Sequence, residues 1–282
     1  MPRSPATSKI RKHYDLLSPY YRALWGEHLH HGYWIRGEET KEQAQLQLVE
    51  HLARAARLER GARLLDVGCG FGASSLFLAR KYGVRATGIT ISPVQVEMAT
   101  AAAAAAAPVR ARFLLMDAQA MTFPPASFDV VWSLESISHF ERKKEFFASA
   151  ARLLRPGGTF AIIDWFRKPA LARGALHRFL RPIERGMLVS LDTMDDYASL
   201  LESNGLKVVR REILNARCAR TWDLGLEIIR KKELWRLAAR LGPDFLDFLR
   251  AFRAMKAGFA SGDFVFGLLI AKRGSAGAPG QA

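Results

Sequence analysis

The sequence contains little cysteine and no long apolar run. Cys69 and Cys218 are the two cysteines in 282 residues, too few for a disulfide framework, and this usage is typical of a reducing compartment. No stretch approaches the roughly 20 apolar residues that a transmembrane helix needs. The basic residues within positions 3–12 are followed by no apolar segment, so we expect no secretory signal. These features together predict a cytoplasmic protein.

Acidic residues are also scarce relative to basic ones. The chain carries 27 Asp and Glu against 42 Lys and Arg, which gives a net charge of +15. Such an excess favours nucleic acids, anionic membrane surfaces or anionic substrates as partners. However, the basic residues of positions 142–253 are mixed with acids, and no RNA-binding motif with aromatic platforms is recognisable. We therefore expect no dedicated nucleic-acid module, and an ordinary solvated basic surface explains the charge equally well.

Four histidines near the N-terminus raise the question of a metal site. They are His13, His28, His30 and His31. The spacing of the last three matches no zinc motif, and no cysteine lies near them in the sequence. We therefore predict no metal site.

The chain is organised around a glycine-rich segment at residues 64–72, which reads LLDVGCGFG. An apolar run that ends in glycines and passes into an amphipathic segment is typical of a strand, a tight turn and a helix. Glycine lets a ligand approach the backbone closely, and the free N–H groups at the helix start can meet its polar groups. A dinucleotide fingerprint has the spacing G-x-G-x-x-G and an acid after the second strand. Here the spacing is G-x-G-x-G, Asp66 precedes the first glycine by two residues, and residues 88–93 contain no acid.

Two motifs carry a resemblance to a known family. Residues 65–72 (LDVGCGFG) resemble the first motif of class I S-adenosylmethionine-dependent methyltransferases. Residues 88–95 (GITISPVQ) resemble the second motif of the branch that holds tocopherol and sterol methyltransferases and cyclopropane fatty acid synthases. The resemblance covers about residues 10–273. It implies S-adenosylmethionine as cofactor, with S-adenosylhomocysteine as its product.

The resemblance also implies the fold. We expect an α/β protein with a Rossmann-like seven-stranded sheet of order 3-2-1-4-5-7-6, the last strand antiparallel, a helical N-terminal cap and an inserted helical lid. The predicted parts are the cap at 1–58, the core at 59–168, 186–214 and 262–273, and the substrate lid at 169–185 and 215–261.

Some local features are predicted from sequence patterns. Residues 40–58 form an amphipathic pattern with Thr40 as N-cap and Gln43 three residues later, as in a capping box. Residues 1–9 are polar and expected to be frayed, and residues 274–282 are expected to form a disordered tail. One helical face of the first lid segment is predicted to carry Leu171, Leu176, Phe179 and Leu180.

The resemblance implies which residues hold the cofactor. Asp117 follows the third strand, and an acid at the carboxyl end of a parallel strand lies on the ligand side of the sheet. In the family this acid accepts a hydrogen bond from the adenine amino group, although a turn or cap aspartate is an alternative. Tyr14 belongs to the cap, which in the family covers the methionine end. The full predicted set is Tyr14, Asp66, Gly68, Cys69, Gly70, Thr90, Ile91, Gln95, Asp117, Ala118 and Leu134.

The segment after the fourth strand is the predicted catalytic segment. It reads ESISHF and places Glu135 and His139 four residues apart, immediately beyond the strand end. A histidine there can deprotonate a phenol, a hydroxyl or an acidic carbon near neutral pH. The order W-S-x-E-S-x-x-H resembles tocopherol-type methyltransferases. Glu135 could instead anchor the cap, His139 could face solvent, and Asp164 could orient His139 or bind a substrate donor.

The predicted function is methyl transfer to O, N or C of a small lipophilic, aromatic or isoprenoid metabolite, with His139 as base. Cyclopropane synthases carry a histidine near position 164 and a cysteine where this chain has His31, so modification of an acyl chain is a less favoured alternative. RNA methylation and cofactor binding without turnover stay open. The amphipathic basic segment 230–241 could lie on an anionic membrane or be a solvated lid helix. The sequence specifies neither the acceptor atom nor the oligomeric state.

Overall fold

The computed structural model describes residues 4–275. Residues 1–3 and most of the predicted tail, residues 276–282, lie outside the described residues. Within them, no helix has the length and apolar character that crossing a membrane requires. The strands are β1 (Arg63–Val67), β2 (Arg85–Thr90), β3 (Ala111–Leu115), β4 (Phe128–Leu134), β5 (Leu154–Arg167), β6 (Leu206–Ile213) and β7 (Phe264–Arg273). The helices are α1 (Pro5–Leu24), α2 (Lys41–Ala55), α3 (Ala73–Tyr82), α4 (Pro93–Ala105), α5 (Lys143–Leu153), α6 (Arg181–Met187), α7 (Met194–Glu202), α8 (Asn215–Cys218), α9 (Arg220–Ile228), α10 (Lys232–Leu241) and α11 (Pro243–Ser261).

The strands form one sheet of order β3-β2-β1-β4-β5-β7-β6. β1 to β5 pair in parallel, and β7 is antiparallel to both β5 and β6. The predicted sheet order and the antiparallel last strand are confirmed. Because the carboxyl ends of β1 to β5 lie at one edge of the sheet, the loops after them are brought together into one site.

The hydrophobic core lies on both faces of the sheet, since successive side chains of a strand point to opposite faces. In β1, Leu64 joins a buried cluster with α2 and α3, whereas Leu65 joins a second cluster with α5 and α7. In β4, Val130 and Val131 divide between the same two clusters. Strands covered on both faces are rich in apolar residues, which explains why the strand runs were readable in the sequence.

The N-terminal cap is more ordered than predicted. α1 begins at Pro5, where Ser4 caps the helix by accepting from the backbone N–H of Thr7 at 3.1 Å. The expectation that residues 1–9 are frayed is therefore wrong for residues 5–9, because a serine cap and a proline at the first helical position start the helix early. The predicted capping box of α2 at Thr40 is confirmed, and α2 ends at Ala55, before the predicted residue 58.

The first lid segment contains a wide helical turn. Leu176–Leu180 forms a π-helix that leads into α6. Leu180 is buried, but Leu176 is 40% exposed, so the predicted shared face is wrong at Leu176. The i→i+5 bonding of a π-turn shifts side chains relative to α-helical spacing, and this shift explains the error.

The cap and the lid meet above the sheet edge. Leu17 of α1 packs in a buried cluster with Ile229, Leu234 and Phe248. α11 contacts α6, α9 and α10, and α1 contacts α4. Helices from both ends of the chain therefore cover the carboxyl ends of the parallel strands.

Candidate functional site

A cavity of about 280 Å³ lies over the carboxyl ends of β1 to β4. Glu135 and His139 line this cavity, but Asp164 does not. The residues predicted to hold the cofactor all line it: Tyr14, Asp66, Gly68, Cys69, Gly70, Thr90, Ile91, Gln95, Asp117, Ala118 and Leu134. The fold therefore gathers residues from α1 and from four strand ends into one continuous space.

The glycine turn has a left-handed backbone at Gly68 (φ +74°), Gly70 (φ +52°) and Gly72 (φ +78°). A Cβ on Gly68 would lie 2.4 Å from Ser136 Cβ, and one on Gly72 would lie 2.4 Å from Phe113 Cζ. At Gly70 the nearest atom would be 3.8 Å away, in a leucine side chain. Gly68 and Gly72 are thus needed for packing, whereas a Cβ on Gly70 would meet the Leu29 side chain only at van der Waals distance, so a ligand can approach the backbone there.

Two acids form part of the cavity wall. Asp66 is buried, and its Oδ2 accepts a hydrogen bond from Ser75 Oγ at 2.6 Å. Burial raises the pKa of Asp66 to about 6. Asp117 Oδ1 accepts from the backbone N–H of Gln119 at 2.8 Å. Among the described residues each of these carboxylates is bonded at one oxygen alone, which leaves the other oxygen for a ligand's donor.

His139 is held between a phenol and a backbone carbonyl. Its Nδ1–H donates to the carbonyl oxygen of Leu188 at 3.0 Å, and the Tyr14 hydroxyl donates to its Nε2 at 3.0 Å. The tautomer follows from this network, because a carbonyl can only accept. Leu188 ends α6 in a left-handed conformation (φ +56°). His139 therefore presents Nε2 as a proton acceptor.

Burial fixes the protonation state of this pair. Burial is the main cause of the lowered pKa of His139, which lies below 6.5. The imidazole is therefore neutral at pH 7. Burial also raises the pKa of Tyr14 well above its usual range, so the phenol keeps its proton. The pair can therefore accept one proton overall: Tyr14 passes its hydroxyl proton to Nε2 and takes the incoming proton on its own oxygen.

Asp164 takes a position that differs from the predicted one. Its Oδ2 accepts from the backbone N–H of Ser138 at 3.0 Å, and its Oδ1 accepts from that of Trp165 at 2.8 Å. Burial raises its pKa to about 6. The hypothesis that Asp164 directly orients His139 or contacts substrate is corrected, because Leu188 supplies the orienting carbonyl. Asp164 instead ties the loop before His139 to β5.

Glu135 connects the cap to the sheet. Its Oε1 accepts from the backbone N–H of His31 at 2.7 Å. Its Oε2 accepts from His31 Nδ1 and from Trp165 Nε1, both at 2.9 Å. The backbone at Glu135 is left-handed (φ +56°), which turns this carboxylate back towards the cap. This geometry agrees with the alternative in which Glu135 anchors the cap, rather than with a catalytic role.

Sequence reasoning missed three partners in this site. His31 was noted as a departure from cyclopropane synthases, but its bond to Glu135 joins residues 104 positions apart. Trp165 and Leu188 were not assigned a role. No local pattern could have paired Leu188 with His139, because the contact is made by a backbone carbonyl that any residue carries.

The N-terminal histidines bond to each other and to the backbone. His28 Nδ1 lies 3.0 Å from His30 Nε2, and His30 Nδ1–H donates to the carbonyl oxygen of His31 at 2.8 Å. Burial lowers the pKa of His28 to about 4. In the part of the chain that the structure describes, no group of three or more His, Cys, Asp or Glu side chains is arranged to hold a metal ion.

Comparisons with known proteins agree with this geometry. A family model described as mycolic acid cyclopropane synthetase matches residues 2–242. The chain is 37% identical to 27-O-demethylrifamycin SV methyltransferase of Amycolatopsis mediterranei over 225 residues, which are 79% of this chain and 82% of that protein. It is 29% identical to the chloroplastic tocopherol O-methyltransferase of Arabidopsis thaliana over 289 residues, covering 94% of this chain and 81% of that protein.

Solved structures show the same fold. The [4+2]-cyclase SpnF superposes with a TM-score of 0.84 at 25% identity, covering 98% of both chains. The cyclopropane synthase MmaA2 of Mycobacterium tuberculosis superposes with a TM-score of 0.83 at 22% identity, covering 97% of this chain and all of that one. The sequence motifs, the sheet order and the matched relatives lead to one conclusion. The chain belongs to the mycolic acid cyclopropane synthetase family and is an S-adenosylmethionine-dependent methyltransferase.

Proposed function

We propose that the chain methylates a hydroxyl oxygen of a small lipophilic molecule, with His139 as the general base. The observation that carries the proposal is the Nε2 atom of His139, an acceptor that lines the same cavity as the glycine turn. The relatives named for 27-O-demethylrifamycin SV and for tocopherol support an oxygen acceptor on a lipophilic molecule. A neutral imidazole suits such an acceptor, because it can take the hydroxyl proton at neutral pH.

The residues of the cavity fit the cofactor. Gly70 offers open backbone, Asp66 and Asp117 each leave one oxygen for a donor, and Ile91 and Leu134 supply apolar walls. When bound, S-adenosylmethionine supplies an electrophilic methyl group on a sulfonium. The chain's own residues bind and align the two reactants and exclude water, which lowers the entropic part of the barrier.

The walls away from the glycine turn are mainly apolar, and they come from the end of α6 and from the predicted substrate lid. Met187, Leu234, Phe245, Phe248 and Phe252 line the cavity. Such a lining favours a lipophilic acceptor over an ionic one. We therefore keep segment 215–261 as the roof of the substrate site, whereas no residue of the other predicted lid segment, 169–185, lines the cavity.

Peripheral contact with an anionic membrane is a further part of the proposal. α10 exposes Trp235, with Lys232 and Arg236 also exposed on the same helix. An aromatic ring among cations is suited to the boundary of an anionic bilayer. We expect co-sedimentation with vesicles that contain phosphatidylglycerol at low salt. Equal binding to neutral phosphatidylcholine vesicles, or none to either, contradicts this part.

The pH dependence of kcat/KM follows from the lowered pKa of His139. The base form is present above that pKa and is lost as the pH falls through it. With cofactor saturating, we expect the decline of kcat/KM for the acceptor on acidification to have its midpoint below the ordinary histidine pKa of 6.5. A decline centred at or above pH 6.5 contradicts a buried, neutral base.

The two glycines 70 and 72 give a matched pair of variants. Gly70→Ala adds a methyl group at the cavity wall without a clash, so we expect weaker binding of S-adenosylhomocysteine and a cost of about 1–2 kcal/mol in unfolding free energy from the left-handed backbone. Gly72→Ala adds a clash with Phe113, so it should destabilise the fold more. Calorimetric titration and denaturant unfolding measure the two effects. If the Gly70→Ala protein folds and binds S-adenosylhomocysteine as tightly as wild type, the cofactor does not contact the backbone at Gly70.

The proposed function is tested with purified protein, S-adenosylhomocysteine and a panel of acceptors. Calorimetric titration measures cofactor binding, and S-adenosylmethionine labelled in its methyl group reports transfer to prenyl hydroquinones, phenols, unsaturated phospholipids or tRNA. The proposal predicts binding together with label in the hydroquinones or phenols. Label in phospholipid or tRNA supports the corresponding alternative, and binding without transfer to any acceptor supports a non-catalytic role.

A further inference from the structure

Two buried ring nitrogens without partners lie in residues that line the same cavity. His31 is 2% exposed and Trp222 is 4% exposed, and both line the cavity. Among the described residues, His31 Nε2 and Trp222 Nε1 have no hydrogen-bond partner. Buried polar atoms normally have hydrogen-bond partners. Two nitrogens without partners, in residues at a cavity wall, therefore point to a group that a ligand supplies.

The hydrogen-bonding character of each nitrogen is fixed. Glu135 Oε2 accepts from His31 Nδ1 at 2.9 Å, so Nδ1 carries a proton, and in the tautomer that carries this proton alone Nε2 is an acceptor. Trp222 Nε1–H is a donor only. A group that satisfies both must accept one hydrogen bond and donate another, as a hydroxyl does.

The two rings are held in place before a ligand arrives. Their centroids are 4.6 Å apart with an interplanar angle of 81°. The imidazole stacks on Phe266 with the ring centroids 4.2 Å apart, and Trp165 shares the Glu135 carboxylate with it. The backbone N–H of Gly32 donates to Thr221 Oγ1 at 3.1 Å, which ties the cap beside His31 to the lid beside Trp222. A site arranged in advance loses little conformational freedom on binding.

We propose that His31 and Trp222 bind a second hydroxyl of the methyl acceptor and thereby select dihydroxylated lipophilic molecules over monohydroxylated ones. This inference rests on the proposed function, because it places the first hydroxyl at Tyr14 and His139. His31 and Trp222 act on specificity, since a site built to bond a hydroxyl rejects the analogue that lacks it. Glu135 and Trp165 are positioning residues, because they hold the imidazole ring.

The test compares two acceptors that differ by one hydroxyl, 2-geranyl-6-methyl-1,4-hydroquinone and 2-geranyl-6-methylphenol. Their affinities are measured anaerobically by calorimetry for the protein in complex with S-adenosylhomocysteine. We expect the wild-type protein to bind the hydroquinone about 10- to 100-fold more tightly than the phenol, the range for one to two hydrogen bonds. The derivative of the hydroquinone that carries a methoxy group in place of the 4-hydroxyl cannot donate to His31 Nε2. Its affinity should therefore resemble that of the phenol.

Two variants remove the two nitrogens separately. His31→Asn keeps an N–H that can reach Glu135 in place of Nδ1 but has no equivalent of Nε2, and Trp222→Phe keeps an aromatic ring without the donor. In each, the preference for the hydroquinone should fall to about 3-fold or less, with unchanged affinity for S-adenosylhomocysteine. Trp132→Phe is the matched control, because Trp132 Nε1 is also buried and unpaired but Trp132 does not line the cavity. It should keep the full preference.

Three results would overturn the inference: equal wild-type affinity for the two acceptors, a full preference in both variants, or an equal loss of affinity for both acceptors in His31→Asn. The proposed function fails in a different way. A wild-type protein that prefers the hydroquinone but transfers no methyl group to it supports the hydroxyl site and contradicts methylation of this class.

Discussion

Replacing His139 by alanine is expected to lower kcat/KM by about 10²- to 10⁴-fold, the usual contribution of a general base. The substitution removes the Nε2 acceptor and leaves the Tyr14 hydroxyl, which burial keeps protonated. Affinity for S-adenosylhomocysteine should fall far less than kcat/KM, because all the proposed cofactor contacts except Tyr14 lie at the glycine turn and the neighbouring strand ends. Steady-state kinetics and calorimetric titration measure the two quantities on the same preparation.

His13 offers a matched control for this experiment. It is also a partly buried histidine beside a tyrosine, with Nε2 2.8 Å from the Tyr21 hydroxyl, and desolvation lowers its pKa to about 4. It does not line the cavity, so His13→Ala should keep kcat/KM close to the wild-type value. Equal losses of activity in both variants, or lost cofactor binding in His139→Ala, would show that His139 acts through the structure of the cap.

Replacing Asp66 by asparagine is expected to weaken S-adenosylhomocysteine binding by about 10- to 100-fold, the range for a hydrogen bond to a charged group. The substitution should not lower the free energy of unfolding. The pKa of Asp66 is raised from 3.8 to about 6 by burial, so ionisation at pH 7 costs the folded state about 3 kcal/mol. That cost disappears as the pH falls through 6 towards 3.8. A neutral isostere should therefore be at least as stable as wild type at pH 7.

Asp129 is the contrasting control. Its carboxylate pairs with Arg63 and Arg155, and these partners hold its pKa below the usual value against the opposing effect of burial. Asp129→Asn should lower the free energy of unfolding at pH 7 and leave S-adenosylhomocysteine binding unchanged. If Asp66→Asn instead lowers stability and keeps its affinity for S-adenosylhomocysteine, the assignment of Asp66 to the cofactor is wrong.

Much of the fold could be predicted because the decisive signals are local. The turn at Gly68, Gly70 and Gly72 needs a left-handed backbone, which glycine adopts without strain. Strands covered on both faces appear as apolar runs, so their ends, and the acids Asp66 and Asp117, could be located by position. These local features also explain why the residues predicted to hold the cofactor line one cavity.

The arrangement within the site could not be predicted in the same way. Glu135 and His31 meet through a left-handed backbone at a non-glycine residue, which sequence patterns do not indicate. Asp164 lies within β5, but whether its carboxylate faces the cavity or the loop before His139 depends on packing with Ser138 and Trp165. Long-range contacts of this kind depend on the folded geometry rather than on residue spacing.

The shared fold does not decide the reaction by itself. A [4+2]-cyclase and a cyclopropane synthase both superpose on this chain over nearly their whole length. The chemistry must therefore be argued from the site. Here the argument depends on a neutral His139 whose acceptor nitrogen is bonded to the Tyr14 hydroxyl, and on a largely apolar cavity lined by both residues.

The central claim is intact methyl transfer to a hydroxyl oxygen. It is tested most directly by mass spectrometry of the product formed from S-adenosylmethionine with a fully deuterated methyl group. With 2-geranyl-6-methyl-1,4-hydroquinone as acceptor, the account predicts a product that keeps all of the deuterium in an O-methyl group, with one S-adenosylhomocysteine formed per product. Loss of one deuterium, as insertion of a methylene carbon into an alkene requires, or a methyl group on carbon would contradict it.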